Sequence, residues 1–414
     1  MKLEELKGVE SLIVFQGDRP AATLTRTEHG SQFAYRDDFL TTLSPTDRGI
    51  ATTLPPSKTP LSVVGDNVPP FFAGLLPEGA RLSALIKILK TSASDMFTML
   101  AATGDDCVGD ISVSPVRESP LSPDTSQIHD PTAFSEVSFE ELFERSISAE
   151  DISWRRYDPG FPGMFPKLSS QVFSFPVRLR RSRYIVKLGV PEYPHLVRNE
   201  HFFMKMAAGC KIIAANTAIV TDKNNREGLL VSRFDRRYDP LGKRFEKFHQ
   251  EDACQFLNRY PHDKYRLSLR SIMERIEHHA SAPRIELLRL LEVIAFSYII
   301  GNGDHHAKNI SLLWHDNRVA LSPAYDLLST LPYGDNHMAL KLDGRDAHLK
   351  RAHFIEFGGR FGLSPKALTV MLDRLIGRAA KWIPRITEIG FEPKIERFLM
   401  QEMKKRMDLL SGEN

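Results

Sequence analysis

The run IELLRLLEVIAFSYIIG, residues 285–301, constrains this chain more than any other feature, because no other stretch is as apolar for as long. Glu286, Arg289 and Glu292 interrupt it. Charged groups are costly in the hydrocarbon of a bilayer, so the run reads as a helix buried in a protein core and not as a membrane span. At its end the chain turns abruptly polar. GNGDHHAKNISLLW, residues 301–314, packs an Asn-Gly turn, an acid, two histidines, a lysine and a second amide together before becoming apolar again. A core-forming region interrupted in this way must give each polar group a partner or a ligand.

The rest of the composition excludes more than it assigns. A chain of 414 residues predicts two or three domains with sizeable cores. A net charge of +3 is too small to argue for nucleic acid or a membrane surface. Cys107, Cys210 and Cys254 are odd in number, far apart and without C-x-x-C spacing, which disfavours a disulfide framework and a zinc site. MKLEELKGVE at the N-terminus lacks an apolar signal core. The expected location is the cytoplasm, with no membrane partner.

The segment RESPLSPDTSQIHDPT (117–132) favours turns and reads as a linker. Before it, ESLIVFQ, AATLTRT, SQFAYRD and DISVSPV are strand-like, with a turn at GDRP, and residues 74–91 and 92–103 are helical in pattern. After it, Ser138 and Glu141 stand at capping-box spacing. Two strands, SSQVFSFPVRL and RSRYIVKLG, precede a helix at 199–210, and IIAANTAIV with EGLLVSRFDRR makes a second strand pair. From residue 249 the apolar spacing is mostly helical, beginning with QEDACQFLNRY. Strands first and helices afterwards predict a two-lobed α+β catalytic unit. The expected division is 1–117, 134–236 and 237–414.

The polar stretch has the right residues for phosphoryl transfer. Asp304 and Asn309 are five apart, the spacing of the acid and amide in a protein-kinase catalytic loop. The reaction needs an acceptor for the attacking hydroxyl's proton and an oxygen ligand for Mg²⁺ beside the triphosphate. A carboxylate supplies the first, and an amide oxygen the second without further negative charge. ISLLWHDNRVALS reads as a hairpin with its turn at HDNR, able to return Asp326 of SPAYDLLST to the loop as a further metal ligand. His305 and His306 have no companion ligands at helical spacing, so a zinc cluster is not expected. Upstream, Lys187 lies in an apolar strand and Glu200 follows thirteen residues later on a helix. A lysine and glutamate so placed fix an ammonium against the α and β phosphates; the plainer alternative is a snorkelling lysine and a glutamate favoured at a helix N-terminus. GLLVSRFD (228–235) would lead into a hinge that binds adenine. The charge of Lys187 is expected to meet phosphate only when nucleotide is present.

Taken together, YIVKLGVPEYPHLVRNEHFFMKMAAG, LLVSRFDRR, HQEDACQFL, GNGDHHAKNISLLW and SPAYDLLST resemble the HipA family of bacterial toxin-antitoxin serine/threonine kinases. FFAGLLPEGARLSALIK and ATGDDCVGDISV resemble that family's N-terminal subdomain. The resemblance implies a two-lobed fold distantly similar to protein kinases, with a small N-terminal α+β subdomain, a mostly helical C-terminal lobe, and ATP and Mg²⁺ as cofactors. Carried onto this sequence, Asp304 would be the catalytic base, with His306 the loop histidine and Asn309 and Asp326 the metal ligands. Gly163 and Lys167 of the nucleotide loop, Lys187, Glu200, Lys308 and the hinge residues Ser232, Arg233 and Phe234 would serve the nucleotide. The family also implies a HipB-like helix-turn-helix antitoxin, operator DNA reached through it, and an aminoacyl-tRNA synthetase as protein substrate. One departure stands out. The family's S-x-x-G-x-Q-x-K loop reads GFPGMFPK at 160–167, with Gly160 at the serine position and Phe165 at the glutamine position. Autophosphorylation at the usual place is therefore not expected; Ser169 and Ser170 are shifted candidates. Two other functions compete: a small-molecule kinase of aminoglycoside-phosphotransferase type, and a degenerate kinase acting as a binding and repression partner.

Overall fold

The computed structural model describes residues 3–44, 47–65, 67–115, 131–141, 173–179 and 182–412. The expected linker and the nucleotide-loop residues Gly163 and Lys167, with Gly160, Phe165, Ser169 and Ser170, lie outside them. The chain divides into two compact units, Met1–Arg183 with Asp235–His262, and Tyr184–Phe234 with Asp263–Asn414. The three expected segments are a division along the chain; the units are a division in space, each assembled from two stretches.

In the first unit, β1 (Ser11–Gln16), β2 (Arg19–Thr27), β3 (Gly30–Tyr35), β4 (Leu61–Val64) and β5 (Ile111–Pro115) form an antiparallel sheet in the order β4-β3-β2-β1-β5. Its inner face buries Leu12, Val14, Leu24, Phe33 and Val113. The helices α1 (Gly79–Leu89) and α2 (Met96–Thr103) follow the expected pattern, although α2 begins only where the Asp95 carboxylate caps it by accepting from Thr98 N at 3.2 Å. β4 has no apolar alternation to reveal it, because Val64 is 80% exposed at the sheet edge.

The helix expected across QEDACQFLNRY is corrected. His249–Asp252 is a strand, and the helix is only Ala253–Phe256, opened by a capping box in which Asp252 and Gln255 exchange bonds of 3.0 and 2.9 Å. The strand's first residue is held by charge. His249 Nδ1 lies 2.6 Å from Asp110 Oδ1 and its Nε2 lies 2.9 Å from Glu251 Oε1, all three side chains being largely buried. Arg48 adds a further bond to Asp110 at 3.1 Å, and Thr52 donates to Glu251 through N and Oγ1. Burial pushes the two carboxyls up and the imidazole down, but the ion pairs and hydrogen bonds outweigh it: Asp110 and Glu251 lie below their ordinary values and His249 above its own.

In the second unit, β6 (Ser182–Leu188) pairs with β8 (Glu227–Ser232), and β8 pairs with β7 (Thr217–Thr221), all antiparallel. α3 (Leu196–Gly209) packs on β7 and β8. It starts three residues before the expected position, where His195 at φ 60 closes the preceding turn. A helical lobe follows: α4 (Leu269–His279), α5 (Pro283–Ile300), α6 (Arg351–Gly359), α7 (Pro365–Ala379) and α8 (Pro393–Ser411). α5 carries the apolar run of residues 285–300. Leu287, Leu291, Ile294, Phe296 and Ile300 are wholly buried, because α4, α6, α7 and α8 all pack on it. Its charges have partners: Glu286 Oε2 accepts from Leu321 N at 3.0 Å and from Arg289 at 2.5 Å. Those bonds anchor the expected hairpin, β9 (Ser311–His315) and β10 (Arg318–Leu321), whose turn residues Asp316 and Asn317 both have positive φ. Among the described residues, no helix is long and apolar enough to cross a membrane.

Candidate active site

The polar loop begins where α5 ends. Gly301 takes φ 67, its N–H donates to Tyr298 O, and Asn302 N donates to Ser297 O at 2.9 Å, a Schellman closure that stops the helix and turns the chain outward. From the last helix, Arg406 donates to the same Tyr298 carbonyl at 2.8 Å. Gly303 admits no side chain, since a Cβ there would lie 2.7 Å from His337 O. Its N–H donates to Thr330 Oγ1 at 2.8 Å.

Asp304 is held at its backbone and at its carboxylate. Its N–H donates to Asn302 Oδ1 at 3.0 Å, and its carbonyl accepts from Asn309 Nδ2 at 3.0 Å and from His306 N at 2.9 Å. The five-residue spacing thus closes on itself: the amide nitrogen of Asn309 is spent on Asp304, which turns its oxygen away as the remaining acceptor. Tyr265 OH donates to Asp304 Oδ1 at 2.5 Å. Asn302 Nδ2 reaches the Asp326 carbonyl at 3.3 Å, so one amide joins the loop to the segment after the hairpin. That segment is also tied to α3, where Asn199 exchanges bonds of 2.8 and 3.1 Å with the backbone of Ser329.

Three sequence candidates from distant parts of the unit converge. Lys187 Nζ on β6 lies 2.8 Å from Glu200 Oε1 on α3 and forms a second ion pair with Asp326 Oδ1. Asp326 has φ 58, a left-handed conformation that aspartate tolerates better than most residues. Burial would push the lysine down, but the two carboxylates more than reverse it and its pKa is raised. Glu200 is pushed up to about 7, chiefly by burial and against the pull of Lys187. Lys187 and Glu200 are paired across strand and helix, and Glu200 is buried in the second turn of α3, so the plainer alternative of a glutamate stabilised at the helix terminus is set aside.

The remaining candidates are placed as follows. Ser232 ends β8 with its N–H bonded to Asn216 O at 2.9 Å, and Arg233 follows it. The ring of Phe234 is 5.7 Å from that of Tyr325, the neighbour of Asp326. Lys308 offers its carbonyl to Tyr325 OH at 2.5 Å. His306 is buried, with the ring of Tyr265 edge-on to it at 5.0 Å. His305 is buried too, neither ring nitrogen has a hydrogen-bond partner, and burial pushes it down to about 4, which keeps it neutral. Among the described residues no group of three or more His, Cys, Asp and Glu is arranged to hold a metal. Sequence reasoning gave no bracing role to Asn199, Tyr265, Asn302, Tyr325 or Thr330; of these Asn302 carried a signal in the Asn-Gly turn and Tyr325 one in the motif Pro-x-Tyr-Asp.

Comparison with known proteins identifies the family. The sequence matches the HipA-like C-terminal domain over residues 160–383 and the HipA N-terminal domain over 12–114. It is 27% identical to the Sinorhizobium fredii protein Y4mE over 396 residues, 92% of each chain. It is 29% identical over 307 residues, 66% of each chain, to the serine/threonine-protein kinase toxin HipA of Shewanella oneidensis. The solved structure of the Shewanella oneidensis HipA, HipB and operator DNA complex contains a chain with the same fold, at a TM-score of 0.73 and 22% identity over 97% of each chain. With the C-terminal domain alone spanning more than half of its residues, this chain belongs to the HipA family.

Proposed function

We propose that the protein is an ATP-dependent serine/threonine protein kinase, the toxin of a HipBA-like toxin-antitoxin pair, acting in the cytoplasm on a protein such as an aminoacyl-tRNA synthetase. The observation that carries this reading is the convergence of Lys187, Glu200 and Asp326, drawn from a strand, a helix and the segment after the hairpin. A surface lysine has no need of two carboxylates; an ammonium kept charged for a polyphosphate does.

Asp326 and Asn309 offer a carboxylate and an amide oxygen, a hard all-oxygen pair that fits Mg²⁺ when phosphate oxygens complete its shell. Bound there, Mg²⁺ would neutralise charge on the β and γ phosphates. Lys187 would exchange Asp326 for the α and β phosphates, with Glu200 keeping it in place. Asp304 would accept the proton of the attacking hydroxyl while Asn309 fixes its backbone. Arg233 and Phe234 would offer the hinge backbone to adenine, since the N–H of Ser232 is already bonded. Lys308 and His306 would support the loop, and Gly163 and Lys167 would cover the phosphates. The HipB-like antitoxin would be the inhibitory partner and would link the kinase to operator DNA.

Labelled ATP added with the protein to a whole-cell lysate tests the reading. A discrete labelled protein band is expected; label only in small molecules would favour a small-molecule kinase, and no transfer would favour a binding partner. Asp304→Asn should abolish the band with nucleotide affinity kept within about threefold, and Asp326→Asn should lose Mg²⁺-dependent nucleotide binding. Near wild-type transfer by both variants would refute the assignment.

A further inference from the structure

The contact between Tyr265 and Asp304 goes beyond the roles just assigned. The tyrosine is thirty-nine residues upstream of the acid, in a turn closed by Arg266 N donating to Asp263 O at 2.7 Å. Three attachments fix it to the catalytic loop. Its hydroxyl donates to Asp304 Oδ1 at 2.5 Å, its ring meets His306 edge-on with an interplanar angle of 79°, and the carbonyl of the preceding Lys264 accepts from Ala307 N at 3.1 Å. A phenol held at its tip, its ring and its adjoining backbone is part of the loop's architecture.

We propose that Tyr265 is the positioning residue that sets the orientation of the Asp304 carboxylate, a proposal that rests on the kinase reading above. The terminal torsion of aspartate is broad and roughly two-fold, so a fixed backbone does not by itself aim the carboxylate. The bonds at Asp304 N and O fix the main chain; the phenol fixes the side-chain torsion. Aim matters here because a displacement of about 1 Å in a reacting pair costs on the order of a hundredfold in rate.

Tyr265→Phe removes the hydroxyl and keeps the ring against His306. The initial rate of label transfer from ATP to lysate protein, at saturating ATP, is expected to fall about tenfold or more, while KM for ATP changes less than about twofold. Crystal structures of the wild type and the variant should show the Asp304 carboxylate rotated in the variant. An unchanged carboxylate orientation, or an unchanged rate, overturns the proposal. So does phosphate found by mass spectrometry on Tyr265 after incubation with Mg-ATP, since the phenol would then be an acceptor. If the wild type labels no protein, the kinase reading fails alone, and the carboxylate orientation in the two structures still decides the role of Tyr265.

Discussion

Lys187 shows how one side chain gains meaning from its neighbours. In the sequence it is a charge within an apolar strand; in the fold its ammonium is between two carboxylates, of which Glu200 is buried and Asp326 about one-third exposed. Lys187→Met would leave those carboxylates facing one another without the cation. Removing one partner of a fully buried pair costs about 3–5 kcal/mol, and the exposure of Asp326 reduces this to roughly 2–3 kcal/mol. The double variant Lys187→Met with Glu200→Gln should regain most of that stability in urea denaturation, yet still fail to bind a non-hydrolysable ATP analogue. Nucleotide binding in the double variant equal to wild type would mean that the lysine serves the fold alone. Lys187 was legible because an apolar strand rarely holds an ammonium. Tyr265 was not, because nothing local in DKYRLS distinguishes it from any other half-buried tyrosine.

Among elements, periodicity exposed those whose one face is buried and failed where charge or exposure replaced apolar pattern. The hairpin β9–β10 was readable from its turn, whereas β4, exposed at its edge, and the strand His249–Asp252, fixed by ion pairs, were not. The His249 cluster predicts a pH dependence. The folded imidazole titrates above its ordinary value, so its stabilisation is complete below about pH 6.5 and is lost as pH rises through the raised folded pKa. Asp110 and Glu251 titrate below their ordinary values, so their contribution is complete above about pH 4.5 and is lost as pH falls through the lowered ones. His249→Gln should therefore be most destabilising near pH 5–6 and progressively less so toward about pH 9. Thermal melting of the full chain across that range checks it; a difference independent of pH would show that the imidazole is held neutral.

At the scale of the whole molecule, the expectation of reduced cysteines yields a direct measurement. Cys107, Cys210 and Cys254 are buried thiols, and burial pushes Cys210 up to about 12. A thiol reagent should react slowly with the native protein and should count three thiols after denaturation without reductant. Fewer than that would reveal a disulfide. Composition and periodicity by themselves determined the α+β class, the buried helix 285–301 and the placement of its polar loop, since each depends on residues close together in the chain. Motif order determined the family. Tertiary structure alone decided that Lys187 would find Asp326 as well as Glu200, that Asn302 would join two loops and that Tyr265 would reach Asp304. Local spacing fixes which face of an element a side chain occupies, but a contact across tens or hundreds of residues exists only once the core has packed and brought those faces together.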